Sequence, residues 1–177
     1  KKKVMDFCNE VKERHLEFSW CCKARIHGMD FETLKNMAET GCYLINFGVE
    51  TGTDRGLKLL QKGTTTEEIR QVFTWCRKLK IKTFAYFIIG HPFEKNKKDI
   101  MDNIDFLISI EPDYCNINIL TPYPFTKLFD DGVQKGLLSY DPWDKLVLYG
   151  ANGTANLLPD GLTLKSILGS TINGAII

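Results

Sequence analysis

Polar side chains recur at every second position along three stretches that are otherwise rich in strand-forming residues. The three stripes consist of Lys23 and Arg25, then Asn46, Gly48 and Glu50, and last Asn116 and Asn118. Alternate residues of a strand share one face of its sheet, so each stripe lies on a single face. Strands of a covered parallel sheet are nearly continuous apolar runs, and an unpaired buried charge is costly. These residues therefore either pair with each other or face a polar ligand.

Arg25 and Glu50 each stand where a predicted strand reaches its carboxyl end. Open α/β sheets and barrels bind their ligands at this end of the strands, which favours a ligand-binding role for both side chains. The alternative is a structural ion pair between Arg25 and Glu50 that closes the strand ends. The sequence leaves both interpretations open.

The loops after the second, third and fourth predicted strands contain residues suited to lining a pocket. The segment 48–52, Gly-Val-Glu-Thr-Gly, is either part of a site or only a tight turn. After the third strand, Gly90 removes a side chain and lets a flat group approach. His91 is an acid or base there, or more commonly a surface turn residue beside Pro92. The segment 121–126 is a rigid aromatic loop that lines a pocket or braces the fold.

The cysteines predict neither a disulfide framework nor a metal site. They are Cys8, Cys21, Cys22, Cys42, Cys76 and Cys115, and their scatter indicates reduced thiols buried as small apolar groups. Neighbouring strand residues point to opposite faces, so Cys21 and Cys22 do not readily ligate one ion. The sequence contains no Cys-x-x-Cys, no His-x-x-x-His and no Walker-type glycine loop. A self-contained metal or phosphate site is therefore not expected.

The elements that must position these residues alternate between strand and helix. Hydrophobic periodicity predicts a surface helix over Val4–Arg14 and strands over Leu16–Arg25, Tyr43–Val49, Thr83–Ile89 and Tyr114–Leu120. Three helices lie between the strands, capped by Asp30 in the first and by a Thr65–Glu68 capping box in the second. This alternation predicts parallel strands with right-handed crossovers. The predicted fold class is α/β, an open sheet or a partial TIM-like barrel.

Length and composition fit one compact globular unit. The 177 residues are 44% hydrophobic and 25% charged, and the net charge of +1 does not favour nucleic-acid binding. No apolar stretch approaches the roughly 20 residues of a membrane span, and no secretory signal is evident, so we expect a cytoplasmic protein. The barrel is expected over residues 1–145 and an extension or linker over 146–177. Because the sequence opens without Met inside a predicted helix, we expect it to be a piece of a longer protein.

Several short segments in order resemble one known family. They are Cys22-Lys23-Ala24-Arg25-Ile26, Gly41-Cys42, Asn46 to Gly52, Lys62-Gly63-Thr64, Phe87 to Glu94 and Thr121 to Thr126. Together they are similar to radical S-adenosylmethionine enzymes over about residues 16–138. The nearest group is the one in which a cobalamin-binding domain often precedes the radical domain.

The resemblance implies a six-stranded partial barrel of which this chain holds strands three to six. It also implies a 4Fe–4S cluster, whose three-cysteine motif lies outside this chain, and S-adenosylmethionine bound to it. An electron from a donor protein then starts radical chemistry on a small-molecule substrate. Cobalamin is an optional further cofactor of the full-length protein. The chain alone is expected to be inactive, and its exposed sheet edge is expected to promote self-association.

The resemblance also assigns cofactor-binding residues. They are Arg25, Glu50, Ile88, Gly90, Asn118 and Thr121. Glu50 corresponds to a strand-four residue directed at the ribose or methionyl part of the cofactor. Arg25 would pair with the methionyl carboxylate or with Glu50 itself. Ile88 and Gly90 match a motif that packs against adenine, and the Thr121 backbone would close that side.

Two positions depart from the family pattern. Glu94 follows Gly90 by four residues where the family has three, and Phe125 stands where a glycine is expected. The departure at Phe125 is expected to narrow or reshape the rim of the pocket. The alternative to an enzyme fragment is a non-catalytic α/β module that binds a small molecule or acts as a scaffold.

Overall fold

The computed structural model describes residues 1–136, which form six helices and four strands. In chain order they are α1 (Lys2–Glu13), β1 (Trp20–Ala24), α2 (Phe31–Glu39), β2 (Cys42–Glu50), α3 (Asp54–Leu59), α4 (Thr66–Lys78), β3 (Lys82–Ile89), α5 (Lys97–Ser109), β4 (Tyr114–Ile119) and α6 (Lys127–Gln134). None of the helices in this described part is long and apolar enough to cross a membrane. The extension predicted over 146–177 lies outside the described residues.

The four strands are parallel and form one sheet in the order β1-β2-β3-β4. Lys23 is level with Asn46 across the first pair of strands, and Gly48 is level with Tyr86 across the second. Each strand thus lies beside its predecessor in the chain, as a helical crossover between parallel strands requires. The predicted α/β class and partial TIM-like barrel are confirmed.

Burial alternates along β2 and separates the two faces of the sheet. Ile45, Phe47 and Val49 are buried, whereas Asn46 and Glu50 on the other face are half-buried. The buried face packs against the helices, as in the pairing of Phe47 with Phe73 of α4 at a ring-centroid distance of 5.4 Å. The alternating polar stripe predicted for this strand is therefore present.

The chain divides into two compact units. The first consists of Lys1–Phe87 and Asp102–Ile117, and the second contains, among the described residues, 88–101 and 118–136. The main cluster of buried apolar side chains belongs to the first unit, with members from β2, β3, α2 and α4, and partly buried side chains of β1 pack against it. The face of β2 opposite the polar stripe thus packs into the core of this unit.

The helix starts predicted from the sequence are confirmed by their hydrogen bonds. The side chain of Asp30 accepts the backbone N–H of Thr33 at 2.8 Å, which caps α2. The Thr65 hydroxyl accepts the N–H of Glu68, and the Glu68 carboxylate accepts the N–H of Thr65, which completes the capping box of α4. Caps are local features, so sequence alone locates them.

Replacement of Asp30 by alanine is expected to lower the free energy of unfolding at pH 7 by about 1 kcal/mol, because α2 loses its cap. The side chain of Lys1 and the N–H of Thr33 lower the pKa of Asp30 from 3.8 to about 2. A carboxyl group whose pKa is lower in the folded protein stabilises it above the unfolded value, and this stabilisation disappears as the pH falls towards 2. Urea unfolding at pH 7 and pH 3 measures both effects. Asp30→Asn, which retains the cap acceptor, is the control and should lose less stability; equal losses would contradict the prediction.

The first strand is shorter than predicted. The sequence pattern started it at Leu16, but β1 begins at Trp20, where the backbone pairs with Cys42 and Trp20 donates its N–H to the Gly41 carbonyl. Leu16 instead lies just beyond the end of α1, where it donates its N–H to the Val11 carbonyl. Apolar content alone could not reveal where strand pairing begins.

The prediction of buried thiols is correct for only part of the set. Cys8, Cys42 and Cys76 are buried, whereas Cys21 and Cys115 are exposed. Burial raises the pKa of the Cys76 thiol to about 12, so this side chain is a neutral core residue. Cys22 is half-buried beside exposed Cys21, which agrees with their predicted placement on opposite faces of the strand.

Candidate functional site

Glu50 ends β2 in an unusual backbone conformation. Its φ is +73°, in the left-handed region that residues other than glycine rarely adopt. The register between β2 and β3 shifts between Gly48 and Glu50, so the strand contains an irregularity at this point. Such irregularities re-aim side chains at strand ends, and backbone strain of this kind often accompanies function.

The Glu50 carboxylate forms an ion pair with Lys62. The Nζ atom of Lys62 lies 3.3 Å from Oε1 of Glu50, and both side chains are only about a quarter exposed, at 25% and 24%. The other carboxylate oxygen, Oε2, accepts no hydrogen bond from the described residues. One oxygen is therefore held and the second is available to a donor.

Gly48 provides the space that this pair occupies. A Cβ atom at Gly48 would lie 2.7 Å from Oε1 of Glu50 and 3.6 Å from Nζ of Lys62. Because 2.7 Å is shorter than a carbon–oxygen contact allows, any larger residue would push the carboxylate aside. The glycine in the Gly-Val-Glu-Thr-Gly segment thus has a steric role.

The loop after β2 is anchored by Asn103 of α5. Oδ1 of Asn103 accepts the hydroxyl of Thr51 at 2.8 Å and also accepts the backbone N–H of Gly52. A Cβ atom on Gly52 would lie 2.5 Å from Cβ of Phe106, so helix and loop are in close contact. Sequence reasoning missed Asn103, because nothing local links it to a loop some fifty residues earlier.

The alternative interpretation, a structural ion pair between Arg25 and Glu50, is wrong. Ala24 is level with Phe47, which leaves Arg25 level with Gly48 and two residues short of Glu50. Two residues along a strand span roughly 6.6 Å, which separates the backbone positions level with Arg25 and with Glu50. Lys62, not Arg25, forms the ion pair with the Glu50 carboxylate. Arg25 is exposed and lines a cavity of about 410 Å³ beside β1, together with Lys23, His27 and Met29. The two charged residues are not brought into contact.

In the second unit, Gly90 begins a closed turn directly after β3. Its φ is +86°, which suits glycine, and it is buried. Oε2 of Glu94 accepts the N–H of Gly90 at 2.6 Å and that of His91 at 2.8 Å. Burial raises the pKa of the Glu94 carboxyl, although these two N–H groups oppose the shift. Glu94, at its unusual spacing, therefore fixes the backbone that follows Ile88 and Ile89.

The expectation of a surface role for His91 is wrong. Its side chain is only 3% exposed and stacks on the ring of Phe93, with centroids 4.8 Å apart and an angle of 10° between the planes. The Glu94 carboxylate holds the His91 N–H, so the turn folds back and buries the ring. A Pro at the next position misled the sequence interpretation, because it marks a turn without indicating burial.

Other predicted residues of the second unit lie near the carboxyl end of β4. Asn118 is exposed on that strand, and Thr121 is half-buried just beyond it. The N–H of Leu120 donates to the carbonyl of Ile89 at 2.8 Å, which extends the pairing with β3. Ile88 is half-buried. This pairing places the strand ends that carry Ile88 and Asn118 side by side.

Phe125 stands where the family resemblance implied a glycine, and its backbone adopts a conformation that favours glycine. Its φ is +69° and its side chain is 94% exposed, so no packing compensates the strained backbone. Phe125→Gly is expected to raise the free energy of unfolding by about 1 kcal/mol, because glycine adopts a positive φ without steric cost. Thermal unfolding measures the change. Phe125→Ala is the matched control and should give little stabilisation, and equal gains would contradict a backbone origin.

The charged groups of the candidate site can donate and accept hydrogen bonds. Within residues 1–136, no group of three or more His, Cys, Asp or Glu side chains is arranged to hold a metal ion. What the first unit offers is a half-buried carboxylate with one available oxygen and an exposed guanidinium. Such groups bind hydroxyl, ammonium and carboxylate functions.

The model of the radical SAM superfamily matches residues 2–107, and the chain belongs to this superfamily. An uncharacterized methyltransferase from Pyrococcus horikoshii is 29% identical over 145 residues, which are 82% of this chain and 31% of that protein. The anaerobic magnesium-protoporphyrin IX monomethyl ester cyclase of Cereibacter sphaeroides is 30% identical over 74% of this chain and 22% of its own length. The chain thus spans a third or less of these relatives.

Solved structures share the fold. The radical S-adenosylmethionine methyltransferase TsrM from Kitasatospora setae, with cobalamin and a 4Fe–4S cluster bound, has a TM-score of 0.63 at 19% identity, over 77% of this chain and 29% of TsrM. Coproporphyrinogen III oxidase (HemN) from Escherichia coli has a TM-score of 0.58 at 14% identity, over 77% of this chain and 36% of the oxidase. The predicted family and its partial barrel are confirmed.

Proposed function

We propose that this chain supplies part of the S-adenosylmethionine pocket of a radical enzyme whose cluster-binding cysteines lie outside it. The observation that carries the proposal is Glu50, a strained, half-buried carboxylate at the carboxyl end of a parallel strand with one oxygen available. The superfamily match and the ligand-binding position common to such sheets support it.

The residues of the chain fit the chemistry of the cofactor. Oε2 of Glu50 accepts hydroxyl groups of the ribose or the ammonium of the methionyl part. Arg25 has a guanidinium for the methionyl carboxylate, and its exposure leaves it free to bind. In the second unit, Gly90 and half-buried Ile88 offer backbone and apolar surface to adenine, and Asn118 and Thr121 add polar groups.

In the proposed mechanism, this chain binds and orients the cofactor. When bound, S-adenosylmethionine and the 4Fe–4S cluster supply radical chemistry on an organic substrate. The Glu50 carboxylate fixes the ribose or ammonium end, and Arg25 balances the charge of the methionyl carboxylate. Correct orientation matters because a radical reaction depends on a short, fixed approach to the substrate.

For the full-length protein, we propose methyl transfer with cobalamin as an additional cofactor. Methyltransferases recur among the relatives, including the Pyrococcus protein and the bacteriochlorophyllide d methyltransferases of Chlorobaculum tepidum. The structural neighbours TsrM and OxsB were solved with cobalamin bound. A cyclase from Cereibacter sphaeroides also stands among the relatives, so methyl transfer is one reaction among those that their names give.

Isothermal titration of S-adenosylmethionine into the full-length protein tests the proposal. The protein is reconstituted anaerobically with iron and sulfide, and the same protein without iron is the control. Saturable one-to-one binding to the reconstituted protein, with weaker binding to the control, supports the proposed function. Absence of binding to the reconstituted protein overturns it in favour of a non-catalytic module.

A further inference from the structure

Lys62 lies in a fixed loop next to the candidate site. It follows α3, and its backbone N–H donates to the carbonyl of Leu57 at 3.0 Å. The next residue, Gly63, has a φ of +68° and lies against the ring of His27, where a Cβ atom would be 3.6 Å from the ring. The hydrogen bond and this contact fix the backbone position of Lys62, from which its side chain extends.

The ion pair is asymmetric in a way that suits positioning. Lys62 contacts Oε1 of Glu50 at 3.3 Å, whereas Oε2 accepts no hydrogen bond from the described residues. Both side chains are about three-quarters buried, so water screens their attraction less than at an open surface. A carboxylate held at one oxygen presents the other in a defined direction.

Two features of β2 accommodate this arrangement. Glu50 adopts a φ of +73°, a conformation that its surroundings must enforce. Gly48 leaves open the volume in which Oε1 and Nζ meet. A purely structural surface pair would require neither, since surface ion pairs contribute little to stability.

We propose that Lys62 is a positioning residue for Glu50: it holds Oε1, so that Oε2 accepts a hydroxyl or ammonium donor of the ligand. The inference rests on the proposed function and deepens it, because it assigns the group that orients the carboxylate. Lys62 acts through Glu50 and makes no contact of its own with the ligand.

A double-mutant cycle on the full-length, cluster-loaded protein tests this role. The variants are Lys62→Met, Glu50→Gln and the double variant, with Lys62→Arg as the conservative replacement. Lys58→Met removes the same charge from an exposed position on α3 and is the matched control. The dissociation constant of S-adenosylmethionine is measured by titration calorimetry for each protein.

We expect Lys62→Met to weaken binding about tenfold, and Lys62→Arg to stay within about threefold of the wild type because the cation is restored. The double variant should bind no more weakly than Glu50→Gln, since a residue that acts through Glu50 has nothing left to position. Lys58→Met should bind like the wild type. If thermal unfolding shows that Lys62→Met is destabilised, Lys62→Gln serves as the neutral replacement in the same cycle.

Each other result overturns the inference. Wild-type affinity in Lys62→Met, with binding otherwise intact, removes the positioning role and leaves the proposed function standing. Additive losses in the double variant mean that Lys62 contacts the ligand independently, which also contradicts it. Absence of binding by the wild-type protein overturns the proposed function and this inference together.

Discussion

Glu50→Gln is expected to weaken S-adenosylmethionine binding by the full-length, cluster-loaded protein between about tenfold and a hundredfold. A hydrogen bond to a charged group contributes about 1.5–3 kcal/mol, and each tenfold change in affinity corresponds to about 1.4 kcal/mol. The amide retains the shape of the side chain but loses the charge that attracts an ammonium donor. It also loses the attraction to Lys62 that fixes its orientation.

Titration calorimetry measures the change, with Glu67→Gln as the matched control. Glu67 is an exposed carboxylate in the first turn of α4, away from the end of β2. The Glu67→Gln substitution removes the same charge from the first unit but leaves the residues of the candidate site unchanged. Equal affinities for Glu50→Gln and the wild type would exclude Glu50 from the pocket, and equal losses in both variants would indicate a nonspecific charge effect.

Gly41→Ala is expected to cost about 3 kcal/mol of unfolding free energy, the largest loss of stability among the changes considered. Gly41 joins α2 to β2 with a φ of +91°, a conformation that is costly for alanine. A Cβ atom there would lie 2.1 Å from the carbonyl oxygen of Phe18. That oxygen belongs to the backbone and cannot turn away, so either α2 or the segment before β1 must move.

Gly28→Ala separates the two causes. Gly28 also has a positive φ, +75°, but a Cβ atom at this position meets nothing within 4 Å. It should therefore show the backbone cost alone, about 1 kcal/mol. Urea unfolding of both variants gives the comparison. If the two substitutions cost the same, the contact with Phe18 contributes nothing and the fold adjusts there.

Glu50 pairs with Lys62 and not with Arg25, which determines which charged groups of the site are free to bind a ligand. Because Lys62 is the partner of the Glu50 carboxylate, the exposed Arg25 side chain remains available for an anionic group. A pair between Arg25 and Glu50 would have occupied both. In the proposed function, the Arg25 guanidinium and the second carboxylate oxygen of Glu50 bind the zwitterionic methionyl part of S-adenosylmethionine.

The sequence determined what depends on nearby residues. The caps at Asp30 and Thr65, the alternation of strand and helix, and the polar stripe of β2 were all predictable, because each arises from chemistry within a few positions along the chain. The parallel direction of the strands followed as well, since each helical crossover returns the chain to the same end of the sheet. Glu50 was identified for the same reason, as a carboxylate at a strand end.

Only the tertiary structure decided which groups meet across the chain. The register of β1 against β2 set Arg25 two residues short of Glu50, and the loop after α3 brought Lys62 to it instead. Asn103 reached the loop after β2 from a distant helix, and Glu94 buried His91 by closing its turn. Local patterns specify which face a side chain occupies, but its partners depend on strand register and loop geometry, which the whole fold determines.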